Sequence, residues 1–391
     1  MLPMVFGLLF LLSLLGIALF FPVYPAVVWF LSRKRNLHAP LPAASPPFVS
    51  LVTVVREGEN LMGPKIKNFL ALDYPGDKLE FVIFEDGKSR ELAGIVQQWS
   101  DQRVFFFGSA DHRGKNVALN EAASQCRGEI LVFSDADALL APNALRELAG
   151  WFENPDIGGV CGRRVIAEPG GLPLESPQKS YLDFDASIRL AESKLGSITS
   201  NDGKLYAIRR DLFSEVPPAV TDDLYACLSV VRAGRRFIYT DRAVAFINLP
   251  SRGSRHELER RRRIVSRSLR GIYLLRELFN PLRFGAYSFQ LFVNKVVRRL
   301  TPLFLIGFLV SSLALVGEFP GLGLIALLQV LFYGLALGYR LGGPRLAGVP
   351  LLGKISALIF YFTLGQLGTL LGLSDFLLGK KPVKWTPQKA K

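Results

Sequence analysis

Cysteine is scarce in this chain, with only three residues among 391. Cys126, Cys161 and Cys227 are far apart in apolar surroundings, which argues against a zinc site or a disulfide framework and favours reduced core residues. Two phosphate-binding signatures are also missing. No Gly-x-Gly-x-x-Gly follows the first predicted strand, and no Gly-x-x-x-x-Gly-Lys-Ser/Thr occurs. These absences argue against hydride transfer on a dinucleotide and against P-loop chemistry.

Charged side chains are absent from residues 1–32. A stretch of this length can cross a bilayer as one helix, for which roughly 20 residues suffice. A cleaved signal peptide is the alternative, but a basic n-region is missing and the apolar part is longer than the usual h-region. We therefore expect an uncleaved anchor. Arg33, Lys34 and Arg35 follow it, and positive residues stay on the cytoplasmic side. The next domain is thus expected to be cytoplasmic, at the cell (inner or plasma) membrane.

Three more runs without charge lie near the end of the chain, at residues 300–317, 319–339 and 355–374. Each is long enough to span, so residues 300–379 are predicted to form two to three transmembrane helices of a multi-pass protein. Three crossings would place the tail outside, whereas the lysines in the basic tail, residues 380–391, favour the inside. A re-entrant or interfacial third run would remove this conflict, and the number of crossings stays open.

The net charge is +14, from 47 Lys and Arg against 33 Asp and Glu. Basic flanks on anionic lipid predict such a surplus, and so does an anionic donor. Nucleic acid is not expected as a partner, because the arginines cluster beside the apolar runs and no nucleic-acid-binding motif is present. The densest basic segment lies within residues 251–299, which we interpret as juxtamembrane or interfacial helices.

Residues 48–250 follow a Pro- and Ala-rich linker at 33–47 and show alternating strand and helix patterns. Strands are predicted at 48–55, 79–84, 103–107 and 130–133. Helices are predicted between them, at 60–72, 89–99 and 115–125. This alternation predicts an α/β domain with right-handed βαβ units around a mostly parallel sheet.

Acidic residues follow three of these predicted strands: Glu57 the first, Asp86 the second, and Asp135 with Asp137 the fourth. Open parallel sheets bind ligands at the carboxyl ends of their strands. A carboxylate pair there can hold a divalent cation against a diphosphate. Because Asp-x-Asp also occurs in solvated turns and helix caps, the pair alone is a weak signal.

Further motifs lie in a fixed order around this pair, at residues 68–75, 85–89, 114–120, 135–137, 205–210 and 221–223. With this ordered series the chain resembles a membrane-anchored family-2 glycosyltransferase of the GT-A fold, in the group of bacterial polysaccharide synthases and lipid glycosyltransferases. The resemblance extends over most of the central domain. It implies a Rossmann-like, mixed but mostly parallel sheet flanked by helices, with transmembrane helices at both ends of the chain.

The resemblance also implies roles for individual residues. Asp135 and Asp137 would bind Mg²⁺ or Mn²⁺ with the donor diphosphate, and Asp223 would be the general base on the acceptor hydroxyl. One displacement with such a base predicts inversion. Contacts with substrate are implied for Glu57, Asp86, Lys115, Asn120, Asp135, Asp222, Arg260 and Arg263.

Local alternatives remain for several of these residues. Asp222 and Asp223 could simply complement a helix dipole behind a Thr221 cap. Lys115 could be a solvated helix terminus, and Asp86 could form an Asx-turn. The arginine run, including Arg260, also fits a helix on anionic lipid headgroups.

The chain departs from the family pattern in three places. In the family's Gln-x-x-Arg-Trp segment, Arg260 and Ile264 replace Gln and Trp, which puts processive polymerisation in doubt. Glu57-Gly58 replaces Asn-Glu, and residues 88–90 replace Ser-Thr-Asp. The last two changes leave the identity of the donor open.

These observations predict an inverting, metal-dependent transferase that moves a sugar from a nucleoside diphosphate-sugar, a UDP-sugar by preference, to a lipid-linked or growing saccharide. One alternative is a processive polysaccharide synthase that also exports its product. Another is a non-catalytic, nucleotide-binding membrane scaffold, against which the retained Asp135, Asp137 and Asp223 argue. The sugar, the linkage, the oligomeric state and any partner subunit are not specified.

Overall fold

The computed structural model describes residues 2–37, 45–87, 90–166, 177–248, 253–347 and 350–381. The chain divides into two compact units. The helical unit comprises the described parts of Met1–Val27, Ser251–Leu269 and Ser288–Lys380. The sheet unit comprises the described parts of Val28–Pro250, Arg270–Tyr287 and Lys381–Lys391.

Eight strands form one mixed sheet in the described part of the sheet unit. They are β1 (Val49–Val55), β2 (Leu79–Asp86), β3 (Val104–Ser109), β4 (Ile130–Phe133), β5 (Ala138–Leu140), β6 (Ile157–Ile166), β7 (Tyr206–Arg209) and β8 (Arg236–Ile247). Their order across the sheet is β3-β2-β1-β4-β7-β6-β8-β5.

The first half of the sheet is parallel. Strands β3, β2, β1 and β4 run in one direction, and every residue of β1, β2 and β4 is buried. Such fully buried strands are typical of sheets covered on both faces by helices. Strand β7 is antiparallel to β4 and β6, β6 is parallel to β8, and β5 is antiparallel to β8. The prediction of a mixed, mostly parallel sheet is therefore confirmed.

The helices of the described residues are, in chain order, α1 (Leu2–Ala18), α2 (Tyr24–Ser32), α3 (Glu59–Leu70), α4 (Arg90–Gln97), α5 (Lys115–Ser124), α6 (Ala144–Ala149), α7 (Pro177–Leu195), α8 (Asp222–Arg232), α9 (Ser254–Leu274), α10 (Pro281–Phe284), α11 (Ala286–Leu291), α12 (Arg298–Ala314), α13 (Leu322–Ala347) and α14 (Pro350–Leu377). A π-helical turn at Leu19–Val23 joins α1 to α2, and another at Phe292–Val297 joins α11 to α12.

Four helical segments are long and apolar enough, by length and composition, to cross a membrane. Within the described residues they are Leu2–Ser32, Ala286–Ala314, Leu322–Gly342 and Leu352–Leu377. These four segments suggest a membrane protein, with one span at the amino-terminal end and three towards the carboxy-terminal end. The second span begins earlier than expected, because the aromatic and basic stretch before residue 300 continues into it as one helix. Residues 382–391 of the basic tail lie outside the described part.

A buried carboxylate fixes the start of the parallel strands. Glu80 is 1% exposed and accepts hydrogen bonds from Ser50 Oγ at 2.6 Å and from the backbone and side chain of Arg127. Burial alone would raise the pKa of Glu80, but these donors hold it below its usual value. Ser50 Oγ also accepts from Gly128 N at 2.8 Å, so the turn before β4 is bound directly to β1.

We predict that Gly128→Ala destabilises the sheet unit, whereas Gly94→Ala does not. A Cβ on Gly128 would lie 2.5 Å from Ser50 N and 2.9 Å from Phe48 O, which are backbone atoms that cannot move aside. The expected cost is about 3 kcal/mol. Gly94 lies in α4 with no atom within 4 Å of such a Cβ, so alanine there should stabilise by up to about 1 kcal/mol. Thermal unfolding of the full chain in detergent measures both, and equal midpoints would contradict the prediction.

Candidate active site

The carboxylates predicted to bind metal lie on the loop between β4 and β5. Lys65 of α3 anchors this loop, and its side chain is completely buried. Its ammonium donates to Ser134 Oγ at 2.7 Å and to the carbonyl of Ala138, one at each end of the loop. Asp135 and Asp137, with side chains 28% and 46% exposed, are thereby presented at the carboxyl end of β4.

Two ammonium groups lie between three carboxylates at this edge of the sheet. Lys115 Nζ is 2.9 Å from Asp135 Oδ1 and 2.9 Å from Asp222 Oδ2. Lys204 Nζ is 3.1 Å from Asp135 Oδ2 and 2.6 Å from Asp137 Oδ1. Asp135 is shared by both lysines, so the five side chains form one continuous ionic chain from Asp137 to Asp222.

The pKa values follow from this arrangement. Burial alone would raise the pKa of Asp135, but Lys115 and Lys204 hold it well below its usual value. Burial alone would lower the pKa of each of these lysines, and the carboxylates raise it instead. Asp135, Lys115 and Lys204 are therefore all ionised at neutral pH.

Helix α5 determines where Asp222 and Asp223 lie. It begins after Gly114, whose φ of +103° is available to glycine at little cost. Asn116 donates to the carbonyls of Pro217 and Val220, and Asn120 bonds both ways with the backbone of Val216. These bonds hold the segment that leads into α8. Thr221 makes no side-chain cap at that helix start, contrary to the capping alternative.

Asp223 differs from its neighbour in its electrostatic environment. Burial raises the pKa of Asp223, the charges of Asp222 and Asp202 raise it further, and the hydrogen bond from Leu224 N together with Lys115 lowers it, to a final value of about 7. Asp223 forms no ion pair with any residue of the described ranges. A carboxylate with a pKa near neutrality is suited to general base catalysis.

A divalent cation fits the arrangement of Asp135 and Asp137. One cationic atom, Lys204 Nζ, already lies within 3.1 Å of oxygens from both side chains. Among the described residues, no group of three or more His, Cys, Asp or Glu side chains could hold a metal. A metal here would therefore take two protein carboxylates and complete its shell with oxygens of the ligand and water.

A small open cleft adjoins these charges. Its lining includes Lys115, Asp135, Asp222, Gly203, Phe133 and Tyr206. The Tyr206 hydroxyl is buried and has no hydrogen-bond partner among the described residues. Burial raises the pKa of Tyr206, as do the charges of Asp222, Asp223 and Asp135, so this hydroxyl stays protonated beside the cleft.

Other predicted site residues have structural partners. The Asp86 carboxylate accepts from Arg113 N and Gly114 N and contacts His112 Nδ1, so it holds the loop before α5. Glu57 has a φ of +51° and lies 3.7 Å from Arg56 Nε. Asn120 supports the segment before α8, as described above. The roles of these residues in substrate binding stay predictions.

Arg260 and Arg263 belong to the helical unit, on α9. Arg260 forms two hydrogen bonds with Glu257, at 2.8 and 2.9 Å. Asp135, Asp137, Asp222 and Lys115 are brought together within the sheet unit. The predicted contacts of Arg260 and Arg263 with the diphosphate and the acceptor stay predictions.

Sequence analysis missed Lys65, Asn116, Lys204 and Tyr206. A signal existed for Lys65, since Met62, Lys65, Ile66 and Phe69 are the buried residues of α3 and have the i, i+3, i+4, i+7 spacing of an apolar face. A charge in such a stripe indicates a buried partner. Lys204 gave no comparable signal, because the sequence shows only a lysine directly before the motif at residues 205–210.

Comparison with known proteins finds similarity to one family over part of this domain. Residues 50–216 match the model described as glycosyl transferase family 2. A beta-monoglucosyldiacylglycerol synthase of Synechocystis is 28% identical over 186 residues, which is 46% of this chain and 39% of the relative. An N-acetylglucosaminyltransferase of Rhizobium meliloti is 23% identical over 227 residues, 54% of this chain and 52% of the relative. The chain thus spans about half or less of the length of these relatives.

A solved structure shares the fold. The mannosyltransferase PcManGT from Pyrobaculum calidifontis, in complex with GDP-Man and Mn²⁺, superposes with a TM-score of 0.71 at 22% identity. The match covers 95% of this chain and 100% of that one. The predicted GT-A fold is confirmed.

We predict that Asp223→Asn raises the thermal stability of the protein at pH 8 but not near pH 4. The pKa of Asp223 is about 7 in the folded chain and about 3.9 when unfolded, so between these values only the folded state keeps the proton. Wild-type stability therefore falls as the pH rises from about 4 to 7, and the asparagine variant lacks this loss. The expected difference in melting temperature at pH 8 is several degrees, at about 2–4 °C per kcal/mol. A difference that does not change with pH would contradict the assignment.

Proposed function

We propose that this chain, whose residues 50–216 match glycosyl transferase family 2, transfers a sugar, with inversion, from a nucleoside diphosphate-sugar to an acceptor at the membrane. UDP is the preferred carrier, and the acceptor is a lipid-linked or growing saccharide. One observation carries the proposal: Asp135, Asp137 and Asp222 converge on two ammonium groups beside a cleft, with Asp223 next in the chain.

The donor end of the cleft is assigned to Asp135 and Asp137. Their oxygens would hold Mg²⁺ or Mn²⁺, which when bound neutralises charge on the departing nucleoside diphosphate. Lys115 and Lys204 are placed to pair with the same diphosphate oxygens, because both ammonium groups lie within hydrogen-bonding distance of the metal-binding carboxylates. Lys115 is also the first residue of α5, where unpaired backbone donors favour an anion.

The acceptor end is assigned to Asp223. A carboxylate with a pKa of about 7 is largely ionised at slightly alkaline pH and can still take a proton from an acceptor hydroxyl. Asp222 is neutralised by Lys115, whereas Asp223 keeps its basicity. Attack from the face opposite the diphosphate leads to inversion in a single displacement.

The apolar helices support the proposed membrane location, and one relative supports the proposed lipid acceptor. The four candidate spans fit a multi-pass protein, and the basic residues after Ser32 fit a catalytic domain on the cytoplasmic side of the cell membrane. The similar enzyme of Synechocystis is named a synthase of a glucosyl diacylglycerol. This name favours a lipid acceptor, and the length of the product in a lipid extract distinguishes one transfer from processive synthesis.

We predict that Asp223→Asn abolishes transfer while UDP still binds. The amide cannot accept the acceptor proton but has nearly the same size, and the donor contacts assigned to Asp135, Asp137 and Lys115 remain. Loss of a general base typically costs about 10²- to 10⁴-fold in rate. Nucleotide release from a panel of UDP-, GDP- and dTDP-sugars by purified protein, together with UDP binding, measures the two effects separately.

The matched control is Asp156→Asn, at a side chain that is 73% exposed and 3.9 Å from Arg235. It should keep wild-type turnover. In the wild-type enzyme, kcat/KM should rise with pH up to about 7 and then level off, because the base must be deprotonated. Unchanged turnover in Asp223→Asn would refute the assignment of the base.

We predict that Asp137→Ala removes the dependence of UDP binding on Mn²⁺. In the wild type, Mn²⁺ should tighten UDP binding at least tenfold, since the metal joins two carboxylates to the diphosphate. In the variant the gain should be less than twofold. Titration calorimetry with and without Mn²⁺ measures this, with Asp156→Ala as the control. Equal wild-type affinity under both conditions would contradict a metal at this position.

A further inference from the structure

The ammonium group of Lys204 lies where a divalent cation would bind. Its Nζ is 2.6 and 2.9 Å from the two carboxylate oxygens of Asp137 and 3.1 Å from Asp135 Oδ2. One cationic atom thus contacts three oxygens of the proposed metal ligands. A hard divalent cation would need the same oxygens at about 2.0–2.6 Å. The ammonium group and a metal ion therefore exclude each other from this position.

The second lysine of the ionic chain has a different position. Lys115 Nζ is 2.9 Å from Asp135 Oδ1 and 2.9 Å from Asp222 Oδ2. It contacts the other oxygen of Asp135, and its second partner is Asp222. A cation bound between Asp137 and Oδ2 of Asp135 could leave this pair intact. Competition with a metal is thus expected chiefly from Lys204.

The main chain at Lys204 is held in place, so displacement requires only the side chain to move. Ser134 Oγ donates to the Lys204 carbonyl at 3.0 Å, and Lys204 N donates to Asp202 Oδ1 at 3.1 Å. Ser134 Oγ in turn accepts from the buried Lys65 at 2.7 Å. A lysine ammonium is a compact charge on a flexible four-carbon stem. It can therefore leave the carboxylates while its backbone stays where it is.

The charge of the ionic chain determines what the displaced ammonium group needs. Three carboxylates face two ammonium groups, so the chain from Asp137 to Asp222 has a net charge of −1. A divalent cation would reverse the sign of this charge, and Lys204 would then lie beside like charge. The diphosphate of a nucleotide offers anionic oxygens to that ammonium group. Metal binding is therefore opposed without a nucleotide and favoured with one.

From these contacts we propose that Lys204 occupies the cation position between Asp135 and Asp137, and that a divalent metal binds there by displacing it. This inference rests on the proposed function and adds a role for Lys204 to it. Displaced from Asp137, the ammonium group pairs with the diphosphate of the donor. Because Lys204 competes for the position, the protein takes up the metal together with its donor and not before it.

The first test measures Mn²⁺ binding to the full chain in detergent, by electron paramagnetic resonance and with no nucleotide present. Lys204→Met removes the charge but nearly keeps the length of the side chain, so it should bind Mn²⁺ at least tenfold more tightly than the wild type. Lys67→Met is the matched control, at an exposed lysine of α3, and should keep the wild-type affinity. Equal affinity in Lys204→Met and the wild type would overturn the proposal.

A double variant locates the effect. Lys204→Met combined with Asp137→Ala lacks one of the two proposed ligands, so the gain in Mn²⁺ affinity should disappear. The same gain in the double variant would place the tighter site elsewhere and overturn the proposal.

UDP tests the proposed link to the diphosphate. Saturating UDP should tighten Mn²⁺ binding at least tenfold in the wild type, because the effect of one ligand on the affinity of the other is reciprocal. In Lys204→Met this gain should be at least threefold smaller, since no ammonium group has to be displaced. An equal gain in both proteins would contradict the role of Lys204.

A further measurement uses the wild type alone and does not depend on the folding of any variant. Brief acetylation, read by mass spectrometry, reports how readily each lysine reacts. Saturating Mn²⁺ should raise acetylation of Lys204 at least threefold, because its ion pair with Asp137 protects it. Lys67 is the internal reference and should not change. Unchanged acetylation of Lys204 would overturn the proposed displacement.

Failure of this inference can be told apart from failure of the proposed function. Mn²⁺ binding and acetylation are measured without a sugar donor, so they do not depend on catalysis. Sugar transfer by the wild type, with no gain of Mn²⁺ affinity in Lys204→Met, would refute only the role of Lys204. Absence of transfer from every donor, in a wild type whose Lys204 is displaced by Mn²⁺, would refute only the proposed function.

Discussion

The proposed active site depends on keeping three carboxylates together at one edge of a sheet. Two unit charges about 4 Å apart interact with about 4 kcal/mol at an effective dielectric constant of about 20, so uncompensated acids there would oppose folding. Lys115 and Lys204 compensate for Asp135, Asp137 and Asp222, and each ammonium group contacts two carboxylates. The same cations are available to a diphosphate. The arrangement that compensates the carboxylates in the folded state therefore also suits the proposed anionic donor.

About half of the sheet could be predicted from sequence. Strands β1 to β4 are mainly apolar runs separated by helical patterns, and their predicted limits agree with the structure to within two residues. Strands β5 to β8 were not assigned. β5 and β7 have only three and four residues, and β6 pairs with β8 across register shifts. Their pairing is decided by tertiary packing, which a local pattern of polarity does not contain.

The acids of the site could be located from sequence, but their partners could not. Asp135 and Asp137 follow a recognisable strand, and the carboxyl ends of parallel strands meet at one edge. The ionic chain instead joins residues 115, 135, 137, 204 and 222, which come from four separate parts of the chain. Lys65 was detectable in principle, since it interrupts the apolar stripe of α3. The groups that the Lys65 ammonium contacts depend on how α3 crosses the loop after β4.

Adjacent acids on one helix can take opposite roles because successive residues point in different directions. Asp222 reaches Lys115 and is neutralised, while Asp223, one position on, is turned about 100° away. Its environment combines burial with the charges of Asp222 and Asp202, and this combination keeps its pKa near neutrality. A lysine beside Asp223 would stabilise the fold but would remove the basicity that its proposed role as general base requires. Leaving Asp223 without an ion pair therefore lowers the stability of the fold. Because the ionic chain through Lys115 compensates the other carboxylates, only this one carboxylate carries that cost.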